Sequence, residues 1–95
     1  GLAQVLLVEA WIRVEEGFRA GRELVLDKEV TTIGRAETCD LGLFGDNTIE
    51  RLHAKIHRKG GGFVLENLAE SGATYVNGEA VGGRPVPLSS GDEIQ

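Results

Sequence analysis

Two histidines four residues apart, His53 and His57, and a single cysteine, Cys39, are the residue types in this chain that most often carry metal or nucleophile chemistry. On a helix, histidines at this spacing could hold a metal ion together. The surrounding residues instead alternate between apolar and polar, which predicts a strand on which both histidines share a face with Lys55. A cation between the two rings opposes metal binding, and no third ligand is near in sequence. We therefore expect no metal site, and we expect His57 to be a solvated residue of this strand.

Enzyme motifs are absent from the sequence. It contains no nucleophile beside a recognisable base, no Walker-type loop and no dinucleotide fingerprint. Gly60-Gly61-Gly62 lies between two predicted strands, and without a following helix it cannot form the phosphate site of a P-loop. One cysteine and one histidine, Cys39 and His53, do not define an active-site geometry by sequence alone. We expect a protein that is not an enzyme and that needs no cofactor.

Length and charge narrow the class of protein further. The 95 residues, 41% of them hydrophobic, fit one domain over residues 1–95, and the absence of methionine indicates a piece of a larger protein. A net charge of −5 opposes binding to nucleic acid or to anionic membranes, and no apolar run approaches the roughly 20 residues that span a bilayer. The lone Cys39 has no partner in the chain for a disulfide, which favours a cytoplasmic location.

A local basic cluster, Arg51, Lys55, Arg58 and Lys59, stands out in this acidic chain. Such a cluster is commonly an ordinary charged outer face. Its functional interpretation is a patch that steers an acidic or phosphorylated peptide. Because aromatic residues for base stacking are not interleaved with the cations, the cluster does not indicate nucleic-acid binding.

Short strands separated by turn residues run through the whole chain. Alternation of apolar and polar residues predicts one strand from Leu6 to Val14. Further strands are predicted at residues 24–26, 30–33, 41–43, 54–58, 63–67, 74–76, 79–81 and 86–88. Residues 59–62 predict a hairpin loop, and Asn77-Gly78 is the strongest hairpin signal, since both residues tolerate positive φ. The pattern is typical of an all-β sandwich.

Four spaced motifs resemble the forkhead-associated (FHA) domain family. They are Ile33-Gly34-Arg35, Glu50-Arg51-Leu52-His53-Ala54, Ser71 to Gly78, and Leu88 to Ile94 with Gly91-Asp92. The resemblance covers about residues 10–95 and implies a β-sandwich of two antiparallel sheets with about eleven short strands, its loops gathered at one end. It also implies a non-enzymatic signalling module that binds other proteins through their phosphothreonine-containing peptides.

The resemblance assigns roles to individual residues. Arg35, after Gly34 at the sharp end of a strand, corresponds to the family's phosphate ligand, and Arg51 and Ser71 correspond to positions that line the site. His53, Asn77 and Gly78 correspond to structural positions of the motifs. From the residues alone, Arg35 could instead pair with Asp40 or Glu37 in its own loop.

Two positions depart from the family pattern. Glu50 stands where the family usually has a phosphate-binding serine, and Gly72 stands where it has an asparagine that holds the peptide backbone. We hypothesise that Glu50 pairs with Arg35 in place of a phosphate, which would leave a module that recognises partners without phosphorylation. The alternative is a phosphate-independent structural or oligomerisation domain.

The last strand is predicted to be truncated or missing, because residues 91–95 barely begin it. The first strand would then have an open edge with unpaired backbone groups. Self-association through that edge, or through Trp11, is the expectation that follows.

Overall fold

A computed structural model of the chain describes residues 5–8, 11–14, 20–43, 47–70 and 74–95, with residues 5–8 as backbone. Eleven strands lie within these ranges. They are β1 (Val5–Val8), β2 (Trp11–Val14), β3 (Glu23–Val25), β4 (Val30–Gly34), β5 (Leu41–Gly42), β6 (Ala54–Lys59), β7 (Gly62–Asn67), β8 (Tyr75–Val76), β9 (Glu79–Ala80), β10 (Val86–Leu88) and β11 (Glu93–Ile94). The predicted all-β class is confirmed. The described residues hold no helix of the length and hydropathy that would cross a membrane.

The strands form two sheets that pack face to face. One sheet has the order β3-β2-β1-β11-β8-β9, and the other has the order β10-β7-β6-β4-β5. Buried apolar side chains from both fill the space between them: Ile12, Val14, Val76 and Ile94 from the first sheet, and Ile33, Leu41, Ala54, Ile56, Leu65 and Leu88 from the second. The apolar residues thus follow the strand alternation, and the predicted sandwich forms.

The predicted single strand from Leu6 to Val14 is wrong. The segment forms two strands, β1 and β2, which pair antiparallel with Val8 opposite Trp11 and Val5 opposite Val14. Residues 9 and 10, which connect them, lie outside the described residues. They are Glu and Ala, which are not typical residues of a hairpin turn. The alternation of apolar and polar residues therefore predicted a single strand that was too long.

The predicted open edge of the first strand is covered in part. The last strand, expected to be truncated or missing, is present as β11, which is two residues long. It pairs antiparallel with β1, with Ile94 opposite Val5 and Glu93 opposite Leu6, and with β8 on its other side. β11 thus covers the β1 edge at Val5 and Leu6, and its register does not extend to Leu7 and Val8, so self-association through the rest of this edge stays a prediction.

The two predicted hairpin turns form. In the β6–β7 hairpin, Lys59 is opposite Gly62, and the two glycines between them have φ of 53° and 84°. In the β8–β9 hairpin, Asn77 and Gly78 have φ of 51° and 84°. A two-residue turn with positive φ at both positions matches the twist of the flanking strands.

One strand pair departs from the expected antiparallel sheets. β4 and β5 pair parallel, with Ile33 opposite Leu41. The intervening loop, residues 35–40, turns back alongside β4 because the Asp40 carboxylate accepts hydrogen bonds from the Thr32 amide (2.9 Å) and the Thr32 hydroxyl (3.0 Å). The Asp40 amide in turn donates to the Thr32 hydroxyl oxygen at 2.9 Å. The chain therefore enters β5 in the same direction as β4.

Candidate functional site

The site begins where β4 ends, at a close backbone approach between two loops. The Arg35 amide donates to the Glu50 carbonyl oxygen at 2.9 Å, and the Ala36 amide donates to the Arg51 carbonyl oxygen at 3.1 Å. A Cβ at Gly34 would lie 2.2 Å from that Arg51 oxygen, which no real side chain tolerates. Glycine is therefore required at position 34, and its close packing aligns residues 35–40 with residues 49–53.

The Arg35 side chain is half-buried, and its Nε donates to the Ile49 carbonyl oxygen at 3.1 Å. The alternative in which Arg35 pairs with Asp40 is not seen, because that carboxylate contacts Lys28 and Thr32. Among the hydrogen bonds between described residues, Arg35 donates through Nε and not through its two terminal guanidinium nitrogens. This contact orients the planar group and leaves its two terminal nitrogens for a ligand.

Glu50 and Arg51 follow Ile49 on the same segment. Glu50 is half-buried and Arg51 is exposed. The close contacts between basic and acidic side chains of described residues join Lys28 to Asp40 and His57 to Glu66, and they do not include Arg35 with Glu50. Among the contacts between described residues, the hypothesised ion pair between the Glu50 and Arg35 side chains is thus not found, although the Arg35 amide bonds the Glu50 carbonyl oxygen.

His53 joins a third loop to this arrangement. It is fully buried, and its Nδ1 accepts a hydrogen bond from the Glu50 amide at 3.2 Å. Its own amide donates to the Ile33 carbonyl oxygen, and its carbonyl oxygen accepts from the Leu68 amide, both at 2.9 Å. The imidazole shapes the segment that carries Glu50, while the backbone ties it to β4 and to the loop after β7.

The loop after β7 contains Ser71 and Gly72, which lie outside the described residues. Its two ends are fixed by Asn67, a residue that the sequence analysis missed. The Asn67 Oδ1 accepts hydrogen bonds from the Ala69 amide (3.2 Å) and from the hydroxyl of fully buried Thr74 (2.8 Å). The contact to the amide two residues on is an Asx-turn, and an asparagine at the end of a predicted strand is the signal for it.

Asp40 braces the Arg35 loop against β4, and the sequence analysis did not assign it this role. Besides its bonds to Thr32, its carboxylate forms an ion pair with Lys28 at 2.6 Å. The hydrogen bond from Lys28, followed by that from the Thr32 amide, holds the pKa of the Asp40 carboxyl below its usual range. The ionised form is thus the one that the folded protein stabilises.

This shift predicts a pH dependence of stability. Because the folded pKa of Asp40 is depressed, its contribution is present above the ordinary carboxyl pKa of about 3.9 and is lost as the pH falls through the folded value. At pH 7 we expect Asp40→Asn to lower the free energy of unfolding by about 1 kcal/mol. This is below the roughly 1.5–3 kcal/mol of a hydrogen bond to a charged group, because solvent screens the largely exposed Lys28. Urea unfolding of both proteins at pH 7 and at acidic pH tests this.

The matched control is Asp27→Asn, which removes a carboxylate from an exposed residue whose contact with Arg58 is made by its main-chain oxygen. We expect the difference between wild type and Asp40→Asn to shrink in acid and the control to stay within about 0.5 kcal/mol of wild type. A difference that is the same at both pH values would contradict the assignment.

Asn77 and Gly78 make contacts separate from the Arg35 loops. The Asn77 Nδ2 donates to the Asp92 carboxylate at 2.8 Å, and its Oδ1 accepts from the Glu93 amide at 2.9 Å. These contacts attach the β8–β9 hairpin to β11. Asn77 stabilises the sheet that backs the site and does not join the candidate ligand contacts.

The two histidines occupy different environments. His53 is buried, whereas the half-buried His57 lies 2.9 Å from the Glu66 carboxylate on the outer face of β6 and β7. Within the described ranges, no three His, Cys, Asp or Glu residues come together as a metal site would require. His57 thus shares a hydrogen bond with the Glu66 carboxylate on a strand face.

The basic cluster of the sequence is divided between a loop, which carries Arg51, and strand β6, which carries Lys55, Arg58 and Lys59. Arg51 lies on the loop beside Arg35, Lys55 is opposite Glu66 in the sheet, and an Arg58 terminal nitrogen donates to the Asp27 carbonyl oxygen at 3.4 Å. Only Arg51 of this cluster belongs to the loops that carry the candidate site.

The arrangement places an oriented arginine after an obligatory glycine, with a buried histidine supporting the facing loop. The model of the FHA domain family matches residues 31–95. The chain belongs to the FHA domain family. In this family the chain is a non-enzymatic protein-interaction module, so the expectation that it is not an enzyme is confirmed.

Relatives and solved structures agree with this FHA assignment. An oxoglutarate dehydrogenase inhibitor of Corynebacterium diphtheriae is 39% identical over 82 residues, covering 86% of this chain and 55% of the relative. The glycogen accumulation regulator GarA of Mycolicibacterium smegmatis is 36% identical over 86 residues, covering 90% and 52%. The N-terminal FHA domain of S. cerevisiae Rad53p, solved with a phosphothreonine peptide, superposes with a TM-score of 0.63 at 31% identity over 68% of this chain and 53% of that one. The chain spans about half the length of these curated relatives.

Proposed function

We propose that this FHA domain binds a phosphothreonine-containing segment of a partner protein, with Arg35 as the principal phosphate ligand. The observation that carries the proposal is the anchoring of Arg35 by its Nε to the Ile49 carbonyl oxygen. A phosphate offers three acceptor oxygens and about −1.5 to −2 charges, and two terminal guanidinium nitrogens on a fixed plane suit a bidentate contact with it. Arg51, exposed on the facing loop, adds a second cation, and Ser71 is a further candidate from the sequence alone.

Glu50 weakens this site without removing it. Its carboxylate replaces a hydroxyl donor and adds a negative charge next to Arg35, so the affinity for a phosphate falls. Gly72 removes a side chain that could hold the peptide. Both effects support a module that binds phosphothreonine peptides with low affinity and depends strongly on contacts with other parts of the peptide. The alternative is a domain that acts independently of phosphate, and the experiment below distinguishes it from phosphate-dependent binding.

The test is an amide-shift titration of the domain with a degenerate phosphothreonine peptide library and with the same library unphosphorylated. We expect phosphate-dependent shifts at Arg35, Ala36 and Arg51. Arg35→Ala should reduce the affinity about 100-fold or more, because two hydrogen bonds to a charged group contribute about 1.5–3 kcal/mol each.

Arg84→Ala is the matched control, since it removes the same charge from an exposed residue between β9 and β10. It should leave binding within about twofold of wild type. Equal shifts with both libraries would establish recognition without phosphorylation. Silence with both would leave the structural or oligomerisation role.

The cellular setting follows from the same reasoning. The free, half-buried Cys39 supports a cytoplasmic location for the protein, because structural disulfides are rare in the cytoplasm. The domain is proposed to act within a larger protein. Two relatives are named for inhibition of oxoglutarate dehydrogenase and for regulation of glycogen accumulation, which supports a metabolic enzyme as the partner of that larger protein.

A further inference from the structure

A pocket of about 260 Å³ lies between the edge strands of the two sheets. β9 is the last strand of one described sheet and β10 is the last strand of the other, and residues 81–85 connect them. All of the lining residues lie within residues 76–92, so the pocket is separate from the Arg35 loops. Its volume is below the roughly 300–1,000 Å³ of small-molecule sites, and it therefore suits one side chain better than a cofactor.

Part of the pocket lining is apolar. Val76 is buried, Val86 is half-buried, and Ala80 and Pro87 are exposed. These side chains have no hydrogen-bonding groups, and they suit the methylene groups of a long side chain, which gain free energy by leaving water. Lysine and arginine carry such methylene groups below a charged head that stays at the surface.

Two carboxylates line the same pocket. The Asp92 carboxylate is held in place, because one oxygen accepts a hydrogen bond from the Asn77 side-chain amide (2.8 Å) and the other accepts from the Ser89 main-chain amide (2.7 Å). A carboxylate oxygen has two acceptor sites, so each of these oxygens can accept a further hydrogen bond. Glu79, exposed on β9, provides the second carboxylate.

The negative charge of this pocket is not balanced by a cation among the described residues. The close contacts between their basic and acidic side chains join Lys28 to Asp40 and His57 to Glu66, which lie elsewhere. Arg84, in the connection between β9 and β10, is exposed and is not a lining residue. A cation that enters the pocket would therefore be attracted by two carboxylates, whereas a phosphate would be repelled.

The chemistry of the pocket selects a cation with an aliphatic stem. A metal ion lacks ligands here, because the described ranges bring no three His, Cys, Asp or Glu residues together. A wholly apolar side chain would take the carboxylates out of water without bonding them. β9 is also the edge of its described sheet, so its outer main-chain groups are open to the backbone of an extended segment. A side chain on a polypeptide fits both features, whereas a free amine fits only the first.

From the apolar lining and the two carboxylates, we infer that the pocket between β9 and β10 binds one lysine or arginine side chain of a partner protein. The methylene groups pack on Val86 and Pro87, and the charged head lies beside Glu79 and Asp92. This contact is separate from the phosphate site at Arg35 and needs no phosphorylation. It gives the domain a second binding site, for a basic segment, beyond the proposed function.

The test is an amide-shift titration with short, neutral, unphosphorylated peptides that differ only in a central lysine, arginine or norleucine. Norleucine has the stem of lysine without its charge. We expect the lysine or arginine peptide to shift the amides of Asn77, Ala80 and Asp92 and to bind about threefold more tightly than the norleucine peptide, an advantage that falls as salt is raised. N-acetyl-lysine amide, which carries the side chain without the segment, should bind more weakly than the lysine peptide. Equal affinity of the two would overturn the assignment to a protein segment.

Two pocket variants test the location of the site. Glu79→Gln removes the charge of an exposed side chain and should weaken binding of the lysine peptide about threefold. Ala80→Lys brings a cation to the pocket from an exposed lining residue and should remove the shifts independently of Glu79. Urea unfolding shows that each variant is folded.

Glu23→Gln is the matched control, because it makes the same change on an exposed residue of β3, the strand at the other edge of the same sheet. It should leave the affinity for the lysine peptide unchanged. Equal affinity of the wild type for the lysine, arginine and norleucine peptides overturns the inference. So does wild-type affinity for the lysine peptide in both folded pocket variants.

Discussion

Gly34→Ala is expected to lower the free energy of unfolding by about 3 kcal/mol, at the upper end of the usual range for overpacking. The new Cβ would lie 2.2 Å from the Arg51 carbonyl oxygen and 2.8 Å from its carbonyl carbon. Both atoms belong to the main chain, so no change of rotamer relieves the clash. The segment of residues 49–53 must move away from β4, which weakens the hydrogen bonds from the Arg35 and Ala36 amides. Urea unfolding at pH 7 measures the loss.

The control for Gly34→Ala is Gly82→Ala, because a Cβ at Gly82 has no atom within 4 Å. It should change stability by less than about 0.5 kcal/mol. Gly34→Ala should also reduce the amide-shift response to phosphothreonine peptides in the fraction that remains folded, since Arg35 and Ile49 lie on the two segments that separate. Wild-type stability and wild-type binding in Gly34→Ala would refute the close approach described for these loops.

The second large effect is a gain of function. Glu50→Ser combined with Gly72→Asn is expected to raise the affinity for phosphothreonine peptides at least tenfold. A carboxylate about 5 Å from a phosphate costs about 3 kcal/mol per unit charge at an effective dielectric constant of about 20, and solvent screening reduces this for the half-buried Glu50. Serine removes that repulsion and restores a donor, and asparagine adds a group that can bond the peptide backbone. Calorimetric titration of phosphorylated and unphosphorylated peptides provides the measurement.

Glu50→Gln separates the charge from the hydroxyl. It keeps the size of the side chain and should recover part of the gain, with an advantage over wild type that shrinks as salt is raised. The unphosphorylated peptides should bind the double variant no better than the wild type. If Glu50→Gln and the double variant both match the wild type, Glu50 does not face the ligand.

The local turns of this fold could be predicted from sequence, whereas contacts between distant segments could not. Asn77-Gly78 and Gly60-Gly61 specify their turns through their own φ preferences. Glu9 and Ala10 have no such φ preference, so the β1–β2 hairpin was not predicted. The parallel pairing of β4 with β5 depends on Asp40 bonding to Thr32 eight residues earlier, and no local pattern indicates that bond.

In the candidate site, too, some features could be predicted from the sequence and others could not. Resemblance to the FHA family identified Arg35 and the histidine of the facing loop. It could not reveal that Arg35 bonds the Ile49 carbonyl oxygen, because a main-chain acceptor has no residue-type signature. The loss of the family's serine and asparagine suggested that Glu50 pairs with Arg35, but the ion pairs between described residues do not include these two side chains.

The main-chain hydrogen bonds between the site loops have an evolutionary consequence. Arg35 to Glu50, Ala36 to Arg51, and Leu68 to His53 are each joined through amides and carbonyl oxygens that every residue type except proline provides. Side chains at positions 50 and 51 can therefore be exchanged while the loops keep their shape. In such a scaffold, mutations at these two positions can change ligand preference at little cost in folding stability.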